Sequence, residues 1–540
     1  MDYRQKKKIM IGLAISLFVL LAGLAFVYNQ TLYTTTNLDP RPLNVGAVGK
    51  VESIHPAQAL TRPERLAASA MYEGLVYYDE ASQKLKPNIA KSWRYSATGK
   101  TLTIYLKKDI YFQNGKKLTA HDVKSSWEYN FSATKDWYNN SIFLPIVGAS
   151  EKVKGAGDIS GIQVKDDQTI KIFFTQPHRA FIYCLTNPMF WITDVAANPE
   201  KTILPPGTGP FILKEIKDQN VLLVRNDKYH RGLPKLAAIN INLYESDEDA
   251  FKDYQAGKID FLDSVPFGEI KNLKKSEEYK DRLITKPLLE TYFLGFNINR
   301  EPYIDNYLLR RAINYAIDRE AIIKQLNGGE LYRPLKSVIP MGLAGYNKQL
   351  RGYSYDPEKA QSLLDQAGYP NGEGLPVLTL SYNSNPGHQL IAEIIAGQLA
   401  EVGIAVQLQE VDWSYYQKQL AKMDVSFFRV GWQPDYPDPD NFLYSLFHSS
   451  QMGISNYSGY RNPQVDKLIN QSRMEPDTGK RLKMLNRAEQ IIIDDAPCVW
   501  LFQQNSAKLL GPNVSRLEAN NMDMVDWFEV ELHKPKLESK

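Results

Sequence analysis

The chain has 540 residues, 43% of them hydrophobic, enough for two to four domains with sizeable cores. Sixty-four Lys and Arg (64) against 61 Asp and Glu leave a net charge of +3, too weak a field to single out nucleic acid or a polyanionic surface as partner. Two cysteines, Cys184 and Cys498, exclude a disulfide framework or a zinc cluster; one long-range disulfide and two buried free thiols both stay open.

The first element is membrane-directed. Arg4, Lys6, Lys7 and Lys8 precede an uncharged run at 9–28. At about 1.5 Å per residue, a helix of that length just spans a bilayer core of about 30 Å. The basic flank stays cytoplasmic, so the rest of the chain lies outside the cytoplasmic membrane. The run is either a secretory signal cut near Gly23-Leu24-Ala25 or an uncleaved anchor, and its length favours the anchor. Leu21-Ala22-Gly23-Leu24 resembles a bacterial lipoprotein box with Leu24 in place of the modified cysteine, so lipid cannot be attached there. Residues 31–42, with three consecutive threonines and two prolines, form a tether.

The globular body begins near Leu43. A strand is expected over 43–48 and a helix over 62–75, with Pro63 in its first turn. Alternation predicts a strand at 101–106, and Asn114-Gly115 a turn with positive φ. Thr119 is the expected N-cap of the next helix, with Asp122 three positions on. Strands follow around 169–174 and 209–213. Apolar residues at three- and four-residue steps predict one helix over 310–326, and others over 356–367, 389–402 and 480–495. Gly368 and Gly403 stop two of these, and a strand is expected at 404–408. The mixture has no strict βαβ period and reads as an α/β or α+β fold.

One stretch concentrates chemistry. The apolar run 425–428 leads into Arg429-Val430-Gly431-Trp432-Gln433-Pro434-Asp435-Tyr436-Pro437-Asp438-Pro439-Asp440-Asn441. Prolines and aspartates end a strand in a rigid loop carrying a cation, an indole and carboxylates. Such a loop suits a ligand with an amine at one end and a carboxylate at the other. It also suits a plain Asp-Pro turn with a core Trp, and Arg429 also suits an ion pair with Asp424.

Several segments settle the resemblance. Pro87-Asn88-Ile89-Ala90-Lys91-Ser92-Trp93, Gln113-Asn114-Gly115, Gly207-Thr208-Gly209-Pro210-Phe211, Arg310-Arg311-Ala312-Ile313-Asn314-Tyr315-Ala316 and Gly431-Trp432 with Asp435 appear in order. Together they strongly resemble the family 5 extracellular solute-binding proteins, the peptide-binding components of ABC importers. The resemblance covers nearly all of the chain after the tether. It implies an α/β, two-lobed periplasmic-binding-protein type II fold with an extra subdomain. The first lobe would comprise 43–76, 178–286 and 500–540, the subdomain 77–177, and the second lobe 287–499. It implies capture of an extended peptide in the interlobe cleft by strand-like pairing, and delivery to the transmembrane subunits of an ABC permease. The protein would act as a monomer without cofactor, metal or nucleic acid.

Residue by residue, the resemblance makes Asp435 the partner of the ligand's α-ammonium and Arg429 a receiver of its carboxylate. Gly431 and Trp432 would line the peptide, and Trp413, at the end of a strand, would form a pocket wall. Glu64, in the loop before the first helix, would reach the ligand from the other lobe. Asp438 and Asn441 read as turn-formers, and Leu420 stands where some relatives have a second basic residue.

Catalytic constellations are missing: the seven histidines include no H-E-x-x-H, and there is no G-x-S-x-G elbow or P-loop. An exported hydrolase is thus the weaker reading. Other members of the family capture nickel chelates, haem or sugars, but the sequence has no His-rich or soft-ligand cluster for a coordinated metal. A tethered peptide sensor or holder without transport is a further class.

Overall fold

A computed structural model describes residues 37–535 apart from 134–140, 156, 198–203, 218, 327–328 and 330. The expected anchor at 1–30 and the first part of the tether lie outside the described residues. Among those described, no helix is long and apolar enough to cross a membrane.

The frame is one mixed sheet. From one edge its strands run Val406–Val411, Leu378–Asn383, Phe427–Trp432, Leu283–Phe296, Cys498–Leu510, Phe261–Leu262, Leu43–Val48, Ala238–Tyr244, Asn220–Arg225 and Phe211–Lys217, with Tyr332–Pro334 added beside Cys498–Leu510. Helices cover each end. Leu66, Ala67, Ala70 and Met71 of helix Arg62–Met71 pack with Val45, Phe211, Val221 and Ile241 at one end. Ile313, Ala316, Ile391 and Ile395 pack with Leu380, Phe427 and Val499 at the other. These separate cores make the molecule an α/β protein of two lobes.

Two strands join them. Leu283–Phe296 has 14 residues and Cys498–Leu510 has 13, and they pair antiparallel from Leu283↔Leu509 to Gly295↔Cys498. Register slips between Pro287 and Thr291. There Leu289 N–H donates to the Asn521 carbonyl (2.9 Å) and Gln503 Nε2 to the Leu288 carbonyl (2.7 Å). The ladder is interrupted, and these two bonds satisfy one amide and one carbonyl that it frees, as buried backbone requires.

A separate antiparallel sheet, Ala90–Tyr95, Thr101–Leu106, Thr169–Phe173 and Ile162–Asp166, packs with helix Ala120–Ala133 around Trp127, Phe143, Phe181 and Phe190. Gln113 fastens this layer to the first end of the main sheet, donating to the Met71 and Phe211 carbonyls (3.0 and 2.6 Å) and accepting from Gly207 N–H. Gly207 and Gly209 permit that approach: a Cβ at Gly207 would fall 2.1 Å from the Met71 carbonyl oxygen.

Local expectations hold in most places. Leu43–Val48 and Thr101–Leu106 are strands, Gly115 has φ 86°, and Asp356 and Gly368 bracket helix Pro357–Gln366. The helix expected over 310–326 is two, Tyr307–Ala316 and Arg319–Gln325, because the Asp318 carboxylate takes the amides of Glu320 and Ala321 and starts a new helix. Cys184 and Cys498 are buried free thiols.

Candidate ligand-binding site

A cavity of about 1160 Å³ opens between the two ends of the sheet. The walls come from the 56–60 loop and helix Arg62–Met71, from 72–81 and 186–191, from 413–437, and from 516–529. Of the six residues expected at the site, Trp413, Arg429, Gly431, Trp432 and Asp435 line this cavity together.

Strand Phe427–Trp432 sets three of them. It pairs with Leu283–Phe296 along its whole length, Trp432 opposite Thr291, but with Leu378–Asn383 only at Phe427 and Phe428. Val430, Gly431 and Trp432 therefore have a strand neighbour on one side only, and the other edge adjoins the cavity. Gly431 leaves its backbone exposed. Trp432 is buried and its Nε1 donates to Asn441 Oδ1 (2.9 Å). Arg429 Nη1 donates to Asn383 Oδ1 (3.0 Å), and its guanidinium carbon lies 4.1 Å from the centre of the Tyr292 ring. Asp424 pairs with Arg300 instead (2.9 Å).

The three aspartates that follow divide by partner. Asp438 caps helix Pro439–Phe447 and forms a buried ion pair with Arg481. Asp440 makes a bidentate pair with Arg473 (2.8 and 2.7 Å) that holds its carboxyl well below the usual range despite burial. Among the described residues Asp435 has no such cation. Its side chain receives one hydrogen bond, from Asn441 Nδ2 (3.3 Å), and burial pushes the carboxyl up to about 6. Its carbonyl accepts from Asn187 Nδ2 (2.9 Å), and the next residue, Tyr436, sits in the aromatic core of the smaller sheet. The loop thus presents one uncompensated carboxylate to the cavity while its neighbours are anchored in protein.

Two expectations are corrected. Trp413 does not end a strand: Val406–Val411 stops before it, Asp412 caps, and Trp413 opens helix Trp413–Ala421, 49% exposed at the cavity wall. Glu64 lies in the first turn of helix Arg62–Met71, not in the loop, and is buried. One oxygen accepts from the amides of Glu52 and Ser53 (2.7 and 2.9 Å), the other from Leu60 and Thr61 (both 2.8 Å). Burial would raise this carboxyl, but the four amides outweigh it and the carboxyl stays below its usual value. Glu64 is outside the cavity lining; it shapes the loop whose Pro56, Ala57 and Leu60 do line it.

Sequence reasoning missed Arg65, Asn187 and Glu73, all cavity-lining. Glu73 is held by Tyr229, His230, Asn88 and Thr208. Its position two residues after helix Arg62–Met71 gave no local signal. Among the described residues, no group of three His, Cys, Asp or Glu is placed to hold a metal ion.

Comparison with known proteins agrees with this architecture. Residues 84–453 match the family described as bacterial extracellular solute-binding proteins, family 5 middle. The chain is 28% identical to Heme-binding protein A of Haemophilus influenzae, covering 83% of this chain and 84% of that one. It is 27% identical to the oligopeptide-binding protein OppA of Bacillus subtilis, covering 89% and 92%. The unliganded open form of MppA, a periplasmic murein tripeptide binding protein, superimposes with a TM-score of 0.80 at 26% identity, over 92% of this chain and 99% of that one. With the two-lobed sheet, the cleft and a match over most of its length, the chain belongs to family 5 of the bacterial extracellular solute-binding proteins.

Proposed function

We propose that this protein captures short peptides outside the cytoplasmic membrane and passes them to an ABC permease. The observation that carries the reading is the open edge of strand Phe427–Trp432 beside the cation-free carboxylate of Asp435. An extended peptide adds to such an edge through main-chain hydrogen bonds, each worth about 1 kcal/mol net, and these do not depend on its sequence. Its α-ammonium pairs with Asp435, Trp413 and Trp432 wall its side chains, and Arg429 takes its carboxylate. The cavity of about 1160 Å³ leaves room for varied side chains with water. Relatives named for oligopeptide and dipeptide binding support the same ligand class.

In this reading 43–76, 178–286 and 500–540 move as the first lobe with 77–177 attached, and 287–499 as the second. The protein works as a monomer, does no covalent chemistry, and is held at the membrane by the uncharged run at 9–28 behind its basic flank. Mass spectrometry of small molecules that co-purify with the protein tests the reading. Peptides are the expected result. A tetrapyrrole, sugar or metal chelate would replace the ligand class, and turnover of an added peptide would replace binding with hydrolysis.

A further inference from the structure

The weak overall charge hides an uneven distribution. Residues 84–124 hold ten Lys and Arg against two acids, Asp109 and Asp122, a net of +8 in a chain whose total is +3. Four of these cations are paired: Lys86 with Asp79, Lys116 with Asp122 and Asp194, Lys117 with Asp109, and Lys124 with Asp158. Among the described residues Lys84, Lys91, Arg94, Lys100, Lys107 and Lys108 form no ion pair within 4.0 Å. Glu73 draws on Lys107 from farther away, and Arg231 opposes it.

The cations gather on one face. In the smaller sheet Leu102, Ile104, Ile170 and Ile172 turn inward to the core. Alternation turns the residues between them outward. Pairing sets Arg94, Thr103 and Lys171 in one row and Ser92, Tyr105 and Thr169 in the next. Lys91, Lys107 and Lys108 stand beside the second row around a cavity of about 870 Å³, which Tyr105 and Thr169 help to line and in which Asp166 is the acid. Lys91, Arg94 and Lys108 are exposed, and Lys107 and Lys171 half-buried. This cavity shares no lining residue with the one between the lobes.

The smaller sheet joins the body close to where the chain leaves for the membrane. Asp39 N–H donates to the Leu532 carbonyl (2.8 Å) and Lys534 N–H to the Asn37 carbonyl (2.9 Å), so the tether is pinned to the first lobe at 37–39. Eight residues stand between the uncharged run, which ends at 28, and Asn37, at most about 28 Å of chain. Leu43, Ile239, Leu223 and Leu213 lie abreast across four strands, a width of about 14 Å. Phe211, two residues before Leu213, accepts the Gln113 bond that fastens the smaller sheet. Tether and basic sheet thus join the same end of the first lobe.

We propose that the outer face of the smaller sheet rests on anionic phospholipid headgroups of the membrane that holds the anchor, with a headgroup phosphate in the cavity of Lys91, Lys107 and Lys108. This goes beyond ligand capture and rests on the anchored reading given above. Cations on a protein surface gain from an anionic membrane only within a Debye length, about 10 Å at 0.1 M salt, and the tether is short enough to bring them there. Because Gln113 ties the sheet to the first lobe, docking fixes the tilt of the ligand cavity over the membrane.

The test uses the full-length protein reconstituted into vesicles of neutral phosphatidylcholine, or of phosphatidylcholine and phosphatidylglycerol in equal parts. Flotation checks attachment, and mass spectrometry reads the acetylation rate of each lysine. On the anionic vesicles Lys91, Lys107, Lys108 and Lys171 should react at least about threefold more slowly than on neutral ones, with the exposed Lys422 of the second lobe unchanged. The difference should vanish at about 1 M salt, where the screening length is about 3 Å. Lys91→Glu, Arg94→Glu and Lys108→Glu together should remove the slowing at Lys171. With no ion pair to lose, that variant should melt like wild type. Protein that floats with both vesicles and reacts equally on both overturns the docking while leaving the anchor in place. Slowing reproduced on neutral vesicles by inorganic phosphate alone makes the cavity a free-anion site and overturns the lipid assignment. Protein that floats with neither vesicle overturns the anchor, and the docking with it.

Discussion

Acidifying the protein should uncouple Asp435 from its ligand. The difference between about 6 and the ordinary value of 3.8 corresponds to about 3 kcal/mol against the ionised form in the empty cleft. An ammonium that returns the carboxyl to its usual range recovers that energy, so Asp435→Asn should weaken binding of a free-amine peptide about 100-fold. The sign follows from linkage. The empty protein holds the Asp435 proton more tightly than the occupied one, so binding expels a proton between about pH 4 and 6 and affinity falls as pH drops. At pH 5 about nine-tenths of the empty sites are protonated, giving about tenfold weaker binding than at pH 7. A second decline is expected above about pH 8, where the peptide's α-ammonium loses its own proton. Titration calorimetry from pH 5 to 9 measures both limbs. The N-acetylated peptide and the Asp435→Asn variant should each give a flat profile. A wild-type affinity that stays constant from pH 5 to 7, or a variant that keeps the acid limb, refutes the assignment.

The same raised carboxyl penalises the unliganded fold progressively between about pH 4 and 6, so Asp435→Asn should raise the melting temperature of the empty protein most at pH 7.5, by about half as much at pH 5, and little below about pH 4. Arg481→Ala leaves Asp438 charged and buried, and urea denaturation should show a loss of about 3–5 kcal/mol. Gly431→Val places branches near the Thr291 carbonyl (3.3 Å from a Cβ) and Arg429 Nη2 (3.6 Å); peptide affinity should fall at least about tenfold with unfolding little changed. Trp413 is 49% exposed, so its fluorescence should shift to the blue on saturation with ligand, and Trp413→Ala should abolish that shift without destabilising the fold.

What the sequence disclosed was local. Asp356, Gly368 and Gly115 act through their own backbone, and their roles follow from spacing. The aspartates of 435–440 look alike in the sequence, whereas Arg481 and Arg473, each more than thirty residues downstream, decide which two are neutralised and which one remains. The helix over 310–326 was over-extended because the apolar repeat runs on through Asp318, whose side chain nonetheless begins a new helix. Thr61-Arg62-Pro63-Glu64 carries the S/T-x-x-E pattern of a reciprocal cap, a local signal that was passed over when Glu64 was placed in the loop before the helix. Arg65 and Glu73 had no signal of their own; their place at the cavity is a property of the fold.

The pairing that closes the first lobe bears on how the chain reaches its native state. Strand Leu43–Val48 borders Phe261–Leu262, which takes its other partner from Leu509 and Leu510, and Leu38 meets His533. Strand Leu43–Val48 finds both sheet partners by residue 262, but Phe261–Leu262 must wait for Leu509 and Leu510, and such distant pairings are slow to form. The first lobe therefore completes its sheet only after strand Cys498–Leu510 is made, whereas the smaller sheet draws all four strands from 90–173 and can complete its pairing far earlier.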